Sequence, residues 1–79
     1  MEKFEIIGKL TSVFRTVFTN NTLVLTNELS AKDVDGWNSL SHMMLISEIE
    51  DVFAIKFKLK DLNKMKNVGD IIEIIMSKL

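Results

Sequence analysis

From Glu2 to Phe18 the apolar residues Phe4, Ile6, Ile7, Leu10, Val13, Phe14, Val17 and Phe18 recur every three or four positions. That is the spacing of one core-facing stripe, and it predicts a first helix over this stretch. Gly8 interrupts it at a cost of up to about 1 kcal/mol relative to alanine, so the prediction rests on the pattern and not on propensity. Thr19-Asn20-Asn21-Thr22 ends the helix, because short polar side chains compete for backbone hydrogen bonds and asparagine tolerates left-handed geometry. Residues 22 to 38 then form a long connection. Leu23, Val24 and Leu25 are too apolar to be left in water and are expected to tack it onto the core, with Leu29 in a helical turn. A short strand over 23 to 25 is the competing reading, and it has no evident partner.

A second helix is predicted from Asn38 or Ser39, both good N-caps, to about Phe53. At about 100° per residue, His42, Leu45, Ile46, Ile49, Val52 and Phe53 share the core face. The opposite side carries Leu40, Met43, Met44, Ser47, Glu48, Glu50 and Asp51, flexible apolar side chains rimmed by carboxylates. That mixture beside a serine reads as a docking surface. From Ala54 to Leu59, Ile55, Phe57 and Leu59 alternate with lysines, which predicts an extended link into a short helix near Lys60 to Met65, Leu62 and Met65 facing inward. Asn67 then caps a last helix with Asp70 at its third position and Val68, Ile71, Ile72, Ile75 and Leu79 as its stripe. The pattern predicts an all-α fold of three main helices, a short one before the last, and one long loop, as a single domain over residues 1–79.

Composition sharpens this picture. The 79 residues include no Pro and no Cys, so there is no disulfide, no thiolate metal site and no cysteine nucleophile. Any thiol chemistry has to be borrowed. The N-terminus is charged where a signal peptide needs an apolar segment, and no run approaches the roughly 20 apolar residues of a membrane span, so a cytoplasmic protein without membrane insertion is expected. Net charge is −1, but residues 28 to 51 hold six acids against Lys32 (−5), whereas residues 52 to 66 hold five lysines against Asp61 (+4). The second helix has no Lys or Arg for phosphate contacts, so nucleic-acid binding and a helix-turn-helix reading are set aside. A monomer is expected.

The stretch Asp35-Gly36-Trp37-Asn38-Ser39-Leu40 brings together a glycine, the only tryptophan and a hydroxyl at a predicted helix start. Three readings of Ser39 compete. A nucleophile assisted by His42 is disfavoured, because the hydrolase elbow needs a glycine where Ser41 stands and a sheet this chain cannot build. His42, the only histidine, is read as partly buried and satisfied by the loop, and it makes a poor metal site in a chain without cysteine. A purely structural reading has Ser39 cap the helix while Trp37 staples the loop. In the third, Ser39 carries a covalent anionic group, which would meet unpaired N–H groups and the positive end of the helix dipole. Periodicity does not choose between the last two.

Asp35-Gly36-Trp37-Asn38-Ser39-Leu40, continuing through Ser41-His42-Met43-Met44-Leu45-Ile46 to Phe53-Ala54-Ile55, and Asn67-Val68-Gly69-Asp70-Ile71-Ile72 further on, resemble the acyl carrier protein family. The resembling residues are its Asp-Ser-Leu signature, its Phe-x-Ile and its Thr-Val-Gly-Asp helix start, and the match spans roughly residues 29 to 79. The resemblance implies a four-helix carrier, not an enzyme, whose Ser39 is esterified by 4'-phosphopantetheine from coenzyme A through a phosphopantetheinyl transferase. Acyl or aminoacyl groups would ride the arm as thioesters to loading and transferring enzymes of a biosynthetic pathway. Asp35, Asn38, Leu40, Met43, Met44, Ser47, Glu48, Glu50 and Asp51 would face those partners. Asn38 replaces the family's Asp before the serine, removing a charge that transferases engage. Met44 stands where many fatty-acid carriers have Glu, and Leu62 where Ala is common, which implies a smaller cavity and a short or polar cargo. Trp37 and the lysine-rich segment bring the chain closer to stand-alone specialised carriers. A peptidyl or D-alanyl carrier is the alternative within the family, and a helical interaction module, with Ser39 only a cap, is the alternative outside it.

Overall fold

The computed structural model describes residues 1–79. Four helices follow in order: α1 Lys3–Val17, α2 Ser39–Phe53, α3 Leu59–Leu62 and α4 Val68–Lys78, with a single 3-10 turn at Ala31–Asp33 in the long connection. The all-α expectation holds, and no strand forms at residues 23 to 25. One core joins Ile6, Leu10, Val13 and Phe14 of α1, Leu45, Ile49 and Phe53 of α2, and Val68, Ile71, Ile72 and Ile75 of α4. Val34, Trp37 and Ile55 complete it from the connections. At about 25 cal/mol per Å² of apolar surface, this burial is the main favourable term of folding.

Several stripe ends depart from the pattern. Phe4 is 72% exposed, because it lies in the first turn of α1, two residues before the core begins at Ile6. Val52 is 42% exposed. It sits at the edge of the inner face, beside polar Lys9, Ser12 and Thr16 of α1, so the projected core side ends one residue short of it. Leu79 and Val24 are also exposed, the first past the end of α4 and the second facing out of the connection while Leu23 and Leu25 pack inward. The left-handed residue that ends α1 is Thr19 (φ 50°), not an asparagine. Asn20 N–H then reaches back to Arg15 O at 3.0 Å and Thr19 N–H to Thr16 O at 3.4 Å, the Schellman arrangement that satisfies the last carbonyls.

Two connections are held by side chains. Arg15 Nε donates to Leu23 O at 3.0 Å and anchors the start of the long loop. Further on, the loop seats on α4: Val68 N–H donates to Leu29 O (2.9 Å) and Gly69 N–H to Asn27 O (3.0 Å). A Cβ at position 69 would stand 3.2 Å from Asn27 O, so this close backbone approach uses a glycine. The short helix α3 begins one residue before the predicted Lys60–Met65 window and ends three residues before that window does. The cause is Asp61, whose Oδ2 accepts from Lys58 N–H and from Lys78 Nζ at 2.8 Å each, starting the helix at Leu59 and tying it to the end of α4. The Lys78 ammonium, and next the Lys58 amide, hold the Asp61 carboxyl below its ordinary 3.8.

Candidate functional site

Residues 34 to 42 are locked by their own hydrogen bonds. Trp37 N–H donates to Val34 O at 3.2 Å, and Gly36 has φ +86°, the left-handed value wanted at the third position of a type II turn. The Ser41 hydroxyl donates to Gly36 O and accepts from Asn38 N–H (2.8 Å), while Asn38 Oδ1 accepts from Leu40 N–H and Ser41 N–H, both at 3.0 Å. This is a capping box in which asparagine and serine play the reciprocal parts. Asn38 is therefore the cap, and Ser39 is the first helical residue.

Ser39 itself is left free. It is exposed, its hydroxyl bonds to nothing in the chain, and its N–H is the one amide of the first turn without a partner. The reading in which Ser39 caps the helix is thus overturned by Asn38. A related expectation also changes: an anion on Ser39 meets one unpaired N–H and the helix dipole, not a set of open amides, because the capping box has taken the rest.

His42 is half-buried and faces Trp37. Trp37 Nε1–H donates to His42 Nδ1 at 3.0 Å, with the ring planes within 15° of each other and centroids 6.1 Å apart, so the rings meet edge to edge. Trp37 in turn forms a T-shaped pair with Phe14 (5.3 Å, 81°) and lies 5.9 Å from Phe18. The loop is stapled to the bundle through this cluster. Burial holds His42 below its ordinary 6.5, and the Trp37 donor aimed at Nδ1 acts in the same direction, since a proton there would oppose it. No Ser39–His42 hydrogen bond exists, so there is no base on the serine.

A cavity of about 560 Å³ opens beside Ser39, within the range of small-molecule sites. It is lined by Trp37, Asn38, Ser39, His42 and Met43 at the start of α2, by Ala31 of the long connection, and by Leu62, Met65 and Lys66 at and after the end of α3. Leu62 and Met65 face it as the sequence suggests. Lys66 and Ala31 are additions that the pattern did not mark, since one stands between Met65 and the Asn67 cap and the other in a short 3-10 turn, neither on an apolar stripe.

The outer face of α2 divides. Leu40, Met43, Met44, Ser47 and Asp51 are exposed, as is Asp35 in the turn before the helix. Glu48 is half-buried on the α1 side, near Lys9 and Ser12. Glu50 turns the other way, its Oε2 accepting from Phe57 N–H at 2.9 Å, so this carboxylate holds the α2–α3 link.

Over 55 residues, spanning 70% of the chain and 70% of the relative, the sequence is 38% identical to the acyl carrier protein of an Exiguobacterium strain. The chain belongs to the acyl carrier protein family. The solved holo acyl carrier protein of Geobacter metallireducens superposes with a TM-score of 0.86 at 49% identity, covering 91% of this chain and 83% of that one. No family model matches the chain. An acyl carrier protein is a carrier and not an enzyme, and an exposed serine without a base agrees with that role. No helix of this carrier is long and apolar enough to cross a membrane.

Proposed function

We propose that Ser39 is the attachment point of 4'-phosphopantetheine, donated from coenzyme A by a transferase, and that the domain of residues 1–79 delivers acyl or aminoacyl thioesters to partner enzymes of a biosynthetic pathway. One observation carries this reading. At a helix start where Asn38, Ser41 and the Leu40 and Ser41 amides are all hydrogen-bonded, the Ser39 hydroxyl is exposed, unbonded and beside a cavity. The residues fit the group: a phosphate ester on Ser39 would lie against the free Ser39 N–H and the positive end of α2, with Lys66 lining the same cavity. The arm supplies the thiol that a chain without cysteine lacks, and the holo form of the Geobacter relative supports its presence.

Asn38 keeps the cap that an aspartate would make, because its Oδ1 already accepts two amides. Its replacement of the family's aspartate changes the charge offered to a transferase and leaves the position of Ser39 intact. The exposed stripe of Leu40, Met43, Met44, Ser47 and Asp51, with Asp35 beside it, is the surface for partner enzymes. Glu50 contributes to the link and Glu48 to the flank. Intact mass after incubation with coenzyme A and a broad-specificity phosphopantetheinyl transferase tests the assignment. The expected result is a gain of one phosphopantetheine, absent in Ser39→Ala. An unchanged mass with several transferases, or a gain that survives Ser39→Ala, overturns it.

A further inference from the structure

His42 lines the cavity beside Ser39 and is tied up on one side only. The Trp37 indole nitrogen is a donor with no lone pair to offer, so His42 Nδ1 must accept, and the neutral imidazole carries its proton on Nε2. Burial keeps the ring in that neutral form near neutral pH. Nε2 lies across the ring from Nδ1 and has no partner in the chain, yet no fully buried side-chain polar atom lacks one, so Nε2 is not sealed in the core. The cavity that His42 lines also presents apolar Met43, Leu62 and Met65, the side chain of Lys66, and no carboxylate. A plain alkyl chain drawn into this space would cover a donor without satisfying it, which is unfavourable.

We propose that the cavity takes acyl chains bearing a hydrogen-bond acceptor, an oxo or hydroxyl oxygen, to which His42 Nε2–H donates. This rests on Ser39 as the attachment point. Trp37 is a positioning residue in this arrangement, since it fixes the tautomer and touches no cargo oxygen itself. Lys66, which also lines the cavity, favours oxygen-rich cargo in the same sense.

The test loads the protein through the transferase from coenzyme A, butyryl-coenzyme A and 3-oxobutyryl-coenzyme A, with intact mass confirming each form. The His42 imidazole nitrogen shifts are then read by NMR. Thioester cleavage by hydroxylamine is measured relative to the same acyl group on free pantetheine. The Nε2 resonance is expected to move with 3-oxobutyryl and not with butyryl, and the oxoacyl form to be protected about two- to ten-fold more, the range of one ordinary hydrogen bond. His42→Leu removes that difference. His42→Gln, whose amide both accepts from Trp37 and donates, restores part of it, and circular dichroism checks that both variants stay helical. The wild-type shifts decide the matter if His42→Leu fails to fold. Equal movement with both acyl groups, discrimination that survives in a folded His42→Leu, or movement already complete in the form without an acyl group overturns the proposal, the last by giving the bond to the arm. A mass gain without discrimination overturns the cargo reading alone, whereas no mass gain removes the Ser39 reading and this one with it.

Discussion

Helices α2 and α4 both start on an asparagine, and the two starts are used in opposite ways. At α4, Asn67 Oδ1 accepts from Asp70 N–H at 2.9 Å, and the Val68 and Gly69 amides are taken by Leu29 O and Asn27 O of the long loop. The first helical residue, Val68, is fully buried. At α2, Asn38 and Ser41 satisfy each other's turn, nothing docks on top, and the first helical residue is an exposed serine with a free hydroxyl and a free amide. The same cap thus serves once to receive a loop and once to display a group. What separates them is whether another part of the chain covers the first turn.

Exchanging the chemistry of the two first positions should give the largest effects. Val68→Ser removes a fully buried side chain and buries a hydroxyl, and is expected to lower the unfolding free energy by about 2–4 kcal/mol in urea titrations. Ser39→Val abolishes phosphopantetheine transfer, read by mass, while stability changes by no more than about 0.5 kcal/mol. A large loss of stability in Ser39→Val would show that the α2 start is structural after all. Next come the caps: Asn38→Ala and Asn67→Ala are each expected to cost about 1 kcal/mol. Hydrogen exchange separates them, with faster exchange at Leu40 and Ser41 in the first and at Asp70 in the second.

Acid should act in sequence on the Trp37–His42 contact beside the start of α2 and on the Asp61–Lys78 pair that ties α3 to the end of α4. The folded His42 pKa lies below 6.5, so the unfolded chain binds that proton first; the stability this group contributes is complete above pH 6.5 and is lost as pH falls below it. Asp61 is held below 3.8, so its contribution is complete above that value and is lost at lower pH still. Thermal melts across this span should therefore fall in two stages, with His42→Gln removing the upper one and Lys78→Met the lower. A single stage unaffected by His42→Gln would mean that the Trp37–His42 contact does not bias the imidazole. The smallest effect belongs to Asn38→Asp, which keeps the cap and adds a negative charge at the positive end of α2. A gain of about 0.3–1 kcal/mol in stability is expected, together with faster transfer by transferases that engage that charge through a basic residue.

The helices were legible because their stripes are long: Ile6, Leu10, Val13 and Phe14 on α1 and Val68, Ile71, Ile72 and Ile75 on α4 stand at the spacings that a buried face requires. Asn67 with Asp70 was legible for the same reason, as a local capping signal. Reading failed where a distant partner decides. Glu50 looks outward on a helical wheel, but Phe57 N–H needs an acceptor and takes it. Asp61 resets the bounds of α3 because Lys78, seventeen positions on in sequence, supplies its counter-charge. At the site, Ser39 could be named from the sequence, but its freedom could not, since Asn38 and Ser39 are equally good caps until the hydrogen bonds are seen.

The Trp37–His42 contact has one more consequence, an optical one. The chain has a single tryptophan and no tyrosine, so emission excited near the red edge of protein absorption comes from one indole. That indole forms part of the wall of the cavity and is bonded through its nitrogen to the imidazole that faces the space. Anything that fills the cavity or protonates the imidazole changes the surroundings of that chromophore. On the proposed reading, in which cargo on Ser39 enters this cavity, the indole is an intrinsic fluorescent gauge of loading.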